Sequence, residues 1–167
     1  IFPDFTGLAP LYDALPRGQA APVRARPGSP RREAKALPYR LFEKDETVIW
    51  AGKDARTNAL VSLKLAAGND LWFHAQNYPG SHVILRPKKR GHVFTDAEIR
   101  EAAVIALYYS EARTAVREDV LMTEAKNVRR VPGAPLGTVS TAAGRTITVT
   151  LDDETVRQAL FSRTRDI

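Results

Sequence analysis

The chain has 167 residues, 44% of them apolar and 26% charged, with 25 Lys/Arg against 19 Asp/Glu. That length and composition suit one folded domain with a hydrophobic core rather than a disordered or fibrous chain. The absence of cysteine excludes disulfides, thiolate metal sites and a cysteine nucleophile, and the net charge of +6 favours polyanionic partners.

Much of that charge excess lies early. Residues 1–40 carry seven Lys/Arg against Asp4, Asp13 and Glu33. The segment 1–15 is apolar, with Phe2, Phe5, Leu8, Leu11, Tyr12 and Leu15, and is expected to pack on this domain or on a neighbour. Residues 16–38, rich in Pro, Gly, Ala and Arg, read as a linker. A start at Ile1 rather than Met suggests a piece of a longer chain, so additional domains are expected. No apolar run approaches the roughly 18 residues of a membrane-spanning helix, and no basic-then-apolar leader opens the sequence, so a membrane partner is not expected.

The compact domain is placed at 39–167. Tyr39 to Phe42 and Thr47 to Trp50, parted by Glu43-Lys44-Asp45-Glu46, have the composition of a hairpin. Ala55 to Leu65 carries apolar residues at helical spacing, and Gly68 fits a left-handed cap. Asp70 to Ala75 and His82 to Arg86 read as strands. Between them Pro79 and Gly80 suit the centre of a type II turn. Thr95 and Glu98 form a capping box that opens a helix expected over 96–117, with small alanines along one face. Val120 to Thr123, Gly137 to Thr141 and Thr146 to Leu151 supply further strands, and Asp152 or Asp153 caps a last helix through about Ser162. Strands on both sides of one helix predict an α+β fold: a mixed, largely antiparallel sheet packed on one long alanine-rich helix.

Asp70 to Val83 concentrates two histidines, two large aromatics and a tight turn. On a strand, Asp70, Trp72 and His74 project from one face and Leu71 and Phe73 from the other. The first face suits stacking and hydrogen bonding to nucleic acid, although Trp72 serves equally as core and the histidines as turn ligands. Arg86, Lys88, Lys89 and Arg90 form one basic cluster, and Lys126, Arg129 and Arg130 another. Both fall at strand ends or connectors, where they are either solvated loops or phosphate contacts. Three converging metal ligands are lacking, the Gly-rich Val131 to Gly137 stretch is not a nucleotide loop, and no nucleophile has a base in a recognisable context. Neither enzyme chemistry nor a cofactor or metal is expected.

These residues carry a resemblance. DLWFHAQNYPGSHVILR closely resembles the signature of the NFACT RNA-binding domain, found at the C-terminal end of bacterial fibronectin-binding-protein-A-like and RqcH-like proteins. Gly52, Ala55 and Asn58 match its Gly-Arg-Asn-Ala-x-x-Asn segment, and Tyr109 to Arg113 match its Tyr-Ser-x-Ala-Arg helix end. KNVRRVPGAPLGTV resembles the segment of basic residues that leads into its Gly-Ala-x-x-Gly-x-Val turn. Departures occur at Lys53-Asp54, at Leu121-Met122 and at Val131. The resemblance implies a cytoplasmic module of ribosome-associated quality control that binds tRNA and large-subunit ribosomal RNA and does no chemistry. Its expected RNA contacts are Ser81 and His82 beside His74, the Trp72 face, and the two basic clusters. General nucleic-acid binding, DNA included, and a protein-interaction module docking through Phe2 to Leu15 stay open as alternatives.

Overall fold

The computed structural model describes residues 36–161; the apolar segment 1–15 and most of the linker lie outside them. In chain order the elements are β1 (Arg40–Glu43), β2 (Thr47–Ala51), α1 (Ala55–Leu60) running into a π-helical turn (Val61–Leu65), β3 (Leu71–Ala75) and β4 (Val83–Pro87). There follow α2 (Asp96–Tyr108), a 3-10 turn (Glu111–Thr114), β5 (Arg117–Glu124), β6 (Val128–Arg130), β7 (Val139–Thr141), β8 (Arg145–Thr150) and α3 (Asp153–Leu160). Six strands form one sheet in the order β1-β2-β4-β3-β5-β8, and β6 and β7 form a separate hairpin. Every pairing is antiparallel, so the expected mixed sheet is corrected to an antiparallel one.

Strand alternation divides the side chains cleanly. Ile49, Phe73, Ala75, Val83, Leu85, Val120 and Met122 face α2 and α3 in the main core. Trp50, Trp72, Ile84 and Leu121 face the opposite way, against Val61 of the π turn and Val128 of β6. Both faces of the sheet are therefore covered, and each fully buried Phe or Ile contributes about 1.5–3 kcal/mol by leaving water.

The capping box forms as its spacing requires: Glu98 N–H donates to Thr95 Oγ1 (3.2 Å) and Thr95 N–H to Glu98 Oε2 (2.8 Å). Asp152 caps α3 in the same manner, accepting from Thr155 N–H at 2.7 Å. Three sequence expectations are corrected. Helix α2 is not long: it has 13 residues and stops at Tyr108 instead of 117. The cause is local competition, since Ser110 Oγ donates to Leu107 O (2.7 Å) and accepts from Ala112 N–H (3.1 Å), and the strand segment after Pro79 takes over the neighbouring backbone. Among the described glycines positive φ occurs at Gly91, Gly133 and Gly137, so neither Gly68 nor Gly80 is left-handed. The chain leaves the π turn through extended Ala66, and the left-handed residue of the β3–β4 connection is Asn77 (φ 65°). Asn is among the few side chains that tolerate it.

Candidate RNA-binding site

Gly80 is small for a different reason. It bridges to Ser110, and a Cβ placed on it would lie 2.7 Å from Ser110 Cβ. Ser81 N–H donates to Tyr109 O and Glu111 N–H to Pro79 O, both at 3.0 Å, so the turn after β3 is laced to the end of α2. On its other side it is held by Asn58, whose Nδ2 donates to Gly80 O (3.0 Å) and whose Oδ1 accepts from His82 N–H (2.9 Å). Asn58 occupies the space that Gly52 leaves, since a Cβ on Gly52 would fall 2.0 Å from Asn58 Oδ1. Gly52 O accepts from Ser81 Oγ (2.6 Å) and from Arg40 (2.9 Å), and Gly52 N–H donates to His82 O (3.0 Å).

Around this knot lies a cavity of about 790 Å³. Its walls come from the start of α1 (Lys53, Asp54, Asn58), the turn 79–82 with His74, the end of α2 (Tyr108 to Glu111, with Arg113), Arg40, and the loop 136–138. That loop reaches the cavity by lying on α1: Gly137 has φ 88°, and a Cβ on it would meet Ala55 Cα at 3.0 Å. Segments more than 80 residues apart in sequence, each quoted above for the resemblance, thus meet at one concavity.

The histidines form its inner wall. The β3–β4 register pairs Phe73 with Val83, and one step further brings His74 to His82, their rings edge-on at 5.1 Å. His82 is 4% exposed. Burial, and secondarily the neighbouring His74, pushes its pKa down to about 3. Burial also lowers that of His74. Both rings are neutral at physiological pH. Behind them Trp72 is 2% exposed and its indole N–H donates to Ser62 Oγ (2.9 Å), which also contacts His82 Nδ1 (2.8 Å). Trp72 thus has no open face for a base and forms the floor beneath the histidines. His74 lies across it at 5.8 Å, stacked.

The rim carries three cations, Arg40, Lys53 and Arg113, against two exposed acids, Asp54 and Glu111. Lys53 and Arg113 are exposed, while Arg40 lies 4.0 Å over the Tyr109 ring. Capping Thr57 holds the carboxyl of Asp54, on the same wall, below its usual range. None of Arg40, Lys53, Asn58, Tyr108 and Arg113 stands out by charge pattern. Asn58 and Arg113 were visible as motif positions and Lys53 as a departure at one, and the others only through the fold.

The two basic clusters lie elsewhere. Arg86 commits its guanidinium to Asp70 Oδ2 (Nε 2.9 Å, Nη2 2.7 Å) and to Leu65 O (2.8 Å), above the Trp50 ring. It locks the sheet to the π turn, a role its sequence neighbours did not suggest. Lys88 donates to Lys44 O, and Lys89 pairs with Glu46 at 3.3 Å. Lys88 lies six positions beyond His82, with the five residues of β4 between them, so Lys88, Lys89 and exposed Arg90 sit about 20 Å from the histidines, at the Asp70 end of the sheet. Lys126, paired with Glu124, is at that end too. Exposed Arg129 and Arg130 ride on β6, and Arg130 faces Val139, next to Thr138 of the cavity wall.

Comparison with known proteins identifies the family. Residues 37–141 match the NFACT protein RNA binding domain. The Rqc2 homolog RqcH of Bacillus subtilis is 35% identical over 108 residues, which is 65% of this chain and 18% of that protein. The Streptococcus pneumoniae Rqc2 homolog RqcH is 30% identical over 134 residues, 80% of this chain and 24% of its own length. The chain therefore spans less than a quarter of these relatives. The solved C-terminal part of the fibronectin/fibrinogen-binding protein from Streptococcus suis superposes with a TM-score of 0.62 at 30% identity, covering 78% of this chain and 54% of that one. By the extent of the match and the motifs gathered at its cavity, this chain belongs to the family of NFACT protein RNA-binding domains.

Proposed function

We propose that this chain binds structured RNA, tRNA or ribosomal RNA of the large subunit, as the non-catalytic module of a cytoplasmic ribosome-associated quality control factor. The observation that carries the reading is the convergence of the family motifs on one cavity with neutral polar groups inside and Arg40, Lys53 and Arg113 at its mouth. Cations at the rim hold the sugar-phosphate chain, and uncharged donors and acceptors inside meet nucleotide edges. Arg129 and Arg130 extend the cationic surface along the hairpin. Lys88, Lys89, Arg90 and Lys126 offer a second phosphate contact at the far end. Ser81 and Trp72 support the site from within, and Arg86 holds the scaffold.

The test is fluorescence anisotropy of the 167-residue chain with labelled tRNA, a single-stranded RNA and a DNA of matched sequence, across a salt series. Tighter binding of RNA than of DNA is expected, weakened by joint Lys53→Gln and Arg113→Gln. Equal affinity for the two polymers, or no effect of that double variant, refutes the assignment of the cavity. No membrane role is invoked: among the described residues no helix is long and apolar enough to cross a membrane.

A further inference from the structure

We propose that the cavity seats a single unstacked nucleobase, with an acceptor atom on the base edge taking a hydrogen bond from Nε2–H of His82. This deepens the RNA-binding reading and rests on it. The first observation is a proton count at Ser62, which is 4% exposed. Trp72 Nε1 can only donate, so it occupies a lone pair of Ser62 Oγ. Among the described residues the hydroxyl proton of Ser62 has one acceptor within reach, Nδ1 of His82, and only by donating there does this buried O–H avoid being left unpaired. Nδ1 is then an acceptor, and the ring proton sits on Nε2.

The second observation is where that proton goes. His82 lines the cavity, and among the described residues its Nε2 has no hydrogen-bond partner, yet it is not sealed in. Among the described residues the enclosed side-chain polar atom without a partner is Thr47 Oγ1, which lies on β2. Nε2–H therefore opens on the cavity, fixed in direction by the Trp72–Ser62 relay. Across from it His74 makes ring contacts with Trp72 and His82, and among the described residues its nitrogens make no hydrogen bond. It is free to take either tautomer and serve as donor or acceptor.

The third observation is the match of charge to chemistry. Burial keeps both imidazoles uncharged, so a phosphate set against them would lack a counter-charge, whereas a base edge needs none. The cations stand at the mouth, where the phosphates flanking an inserted base would lie. Half-buried Tyr108 adds aromatic surface to the same wall, and the volume falls in the range of small-ligand sites.

Long-range proton–nitrogen NMR on the full chain tests this. The free protein should show His82 protonated at Nε2. Single-stranded oligoribonucleotides of A, C or U should shift the His82 and His74 ring nitrogens, and an abasic oligomer of the same length should not. Ser62→Ala, which releases the tautomer, and His74→Ala, at a half-buried position, should each lower affinity for the preferred oligomer about tenfold, leaving the salt dependence of binding unchanged. Protonation of His82 at Nδ1, or equal shifts with the abasic strand, overturns the base pocket. RNA that binds in the anisotropy assay while leaving both rings untouched sinks the pocket and spares the general reading. Failure of every strand to bind removes both.

Discussion

Asn58→Ala is the sharpest probe of how the site is built. The amide ties α1 to the turn by one bond to Gly80 O, on a half-buried residue, and one from His82 N–H, on a buried one. Truncation leaves the first group open to water at a cost near 1 kcal/mol and strands the second at a cost near 2, about 3 kcal/mol together. Urea unfolding followed by the fluorescence of Trp50 and Trp72 should show that loss, with a fall in Tm of about 10 °C. RNA affinity should drop as well, because the turn carries His82. Asn58→Asp gives an independent check. It keeps the acceptor for His82 N–H and sets a carboxylate oxygen against Gly80 O, so it should be as unstable as the alanine variant at neutral pH. Acidification should then favour it over Asn58→Ala, since a protonated acid can donate to that carbonyl. A loss below 1 kcal/mol for Asn58→Ala would mean that the bridge to Ser110 alone fixes the turn, and the reasoning would fail.

Three further outcomes are expected. Asp70→Asn removes the charge opposite Arg86 at a residue 2% exposed, and should cost about 3 kcal/mol in chemical denaturation; a loss within about 0.5 kcal/mol would show the pair to be dispensable. His82 has a folded pKa of about 3 against an ordinary value near 6.5, so in acid the unfolded chain takes up a proton that the native ring refuses. Its contribution is complete above about pH 6.5 and declines as pH falls toward 3, by about 1.4 kcal/mol per unit. The stability difference between the parent and His82→Asn should follow that slope, and a flat difference would contradict the burial. In RNA binding, Lys53→Gln with Arg113→Gln should reduce the log–log salt slope by about 1.4, that is about 0.7 for each phosphate on a single strand. The triple Lys88→Ala, Lys89→Ala, Arg90→Ala change should flatten it too, and an unchanged slope would remove that loop from the RNA surface.

What the chain discloses by itself depends on whether the deciding force is local. The capping box at Thr95, the cap at Asp152, the β1–β2 hairpin and the alternation of β3 are set within a few residues, and all are legible. The end of α2 is legible only in part, because the local rival at Ser110 is backed by a backbone segment 30 residues away. Arg86 reads as one more cation beside Lys88 until the fold brings Asp70 to it. Trp72 reads as either platform or core until β6 and the π turn cover its face. Gly80 shows the same limit, since Pro-Gly chemistry suggests a left-handed turn and the true constraint is a neighbour reached through tertiary packing. Within the site, His74 and His82 were found by density of rare residues, whereas Arg40 and Tyr108 carry no local mark.

The knot of Gly52, Asn58, Gly80 and Ser110 is assembled from stretches with long loops between them, and loop closure is repaid only when all of them arrive. The cavity is therefore a property of the tertiary fold and not of any one of its stretches. A peptide that stops short of either Arg40 or Thr138 lacks part of its wall, however faithfully the rest is copied.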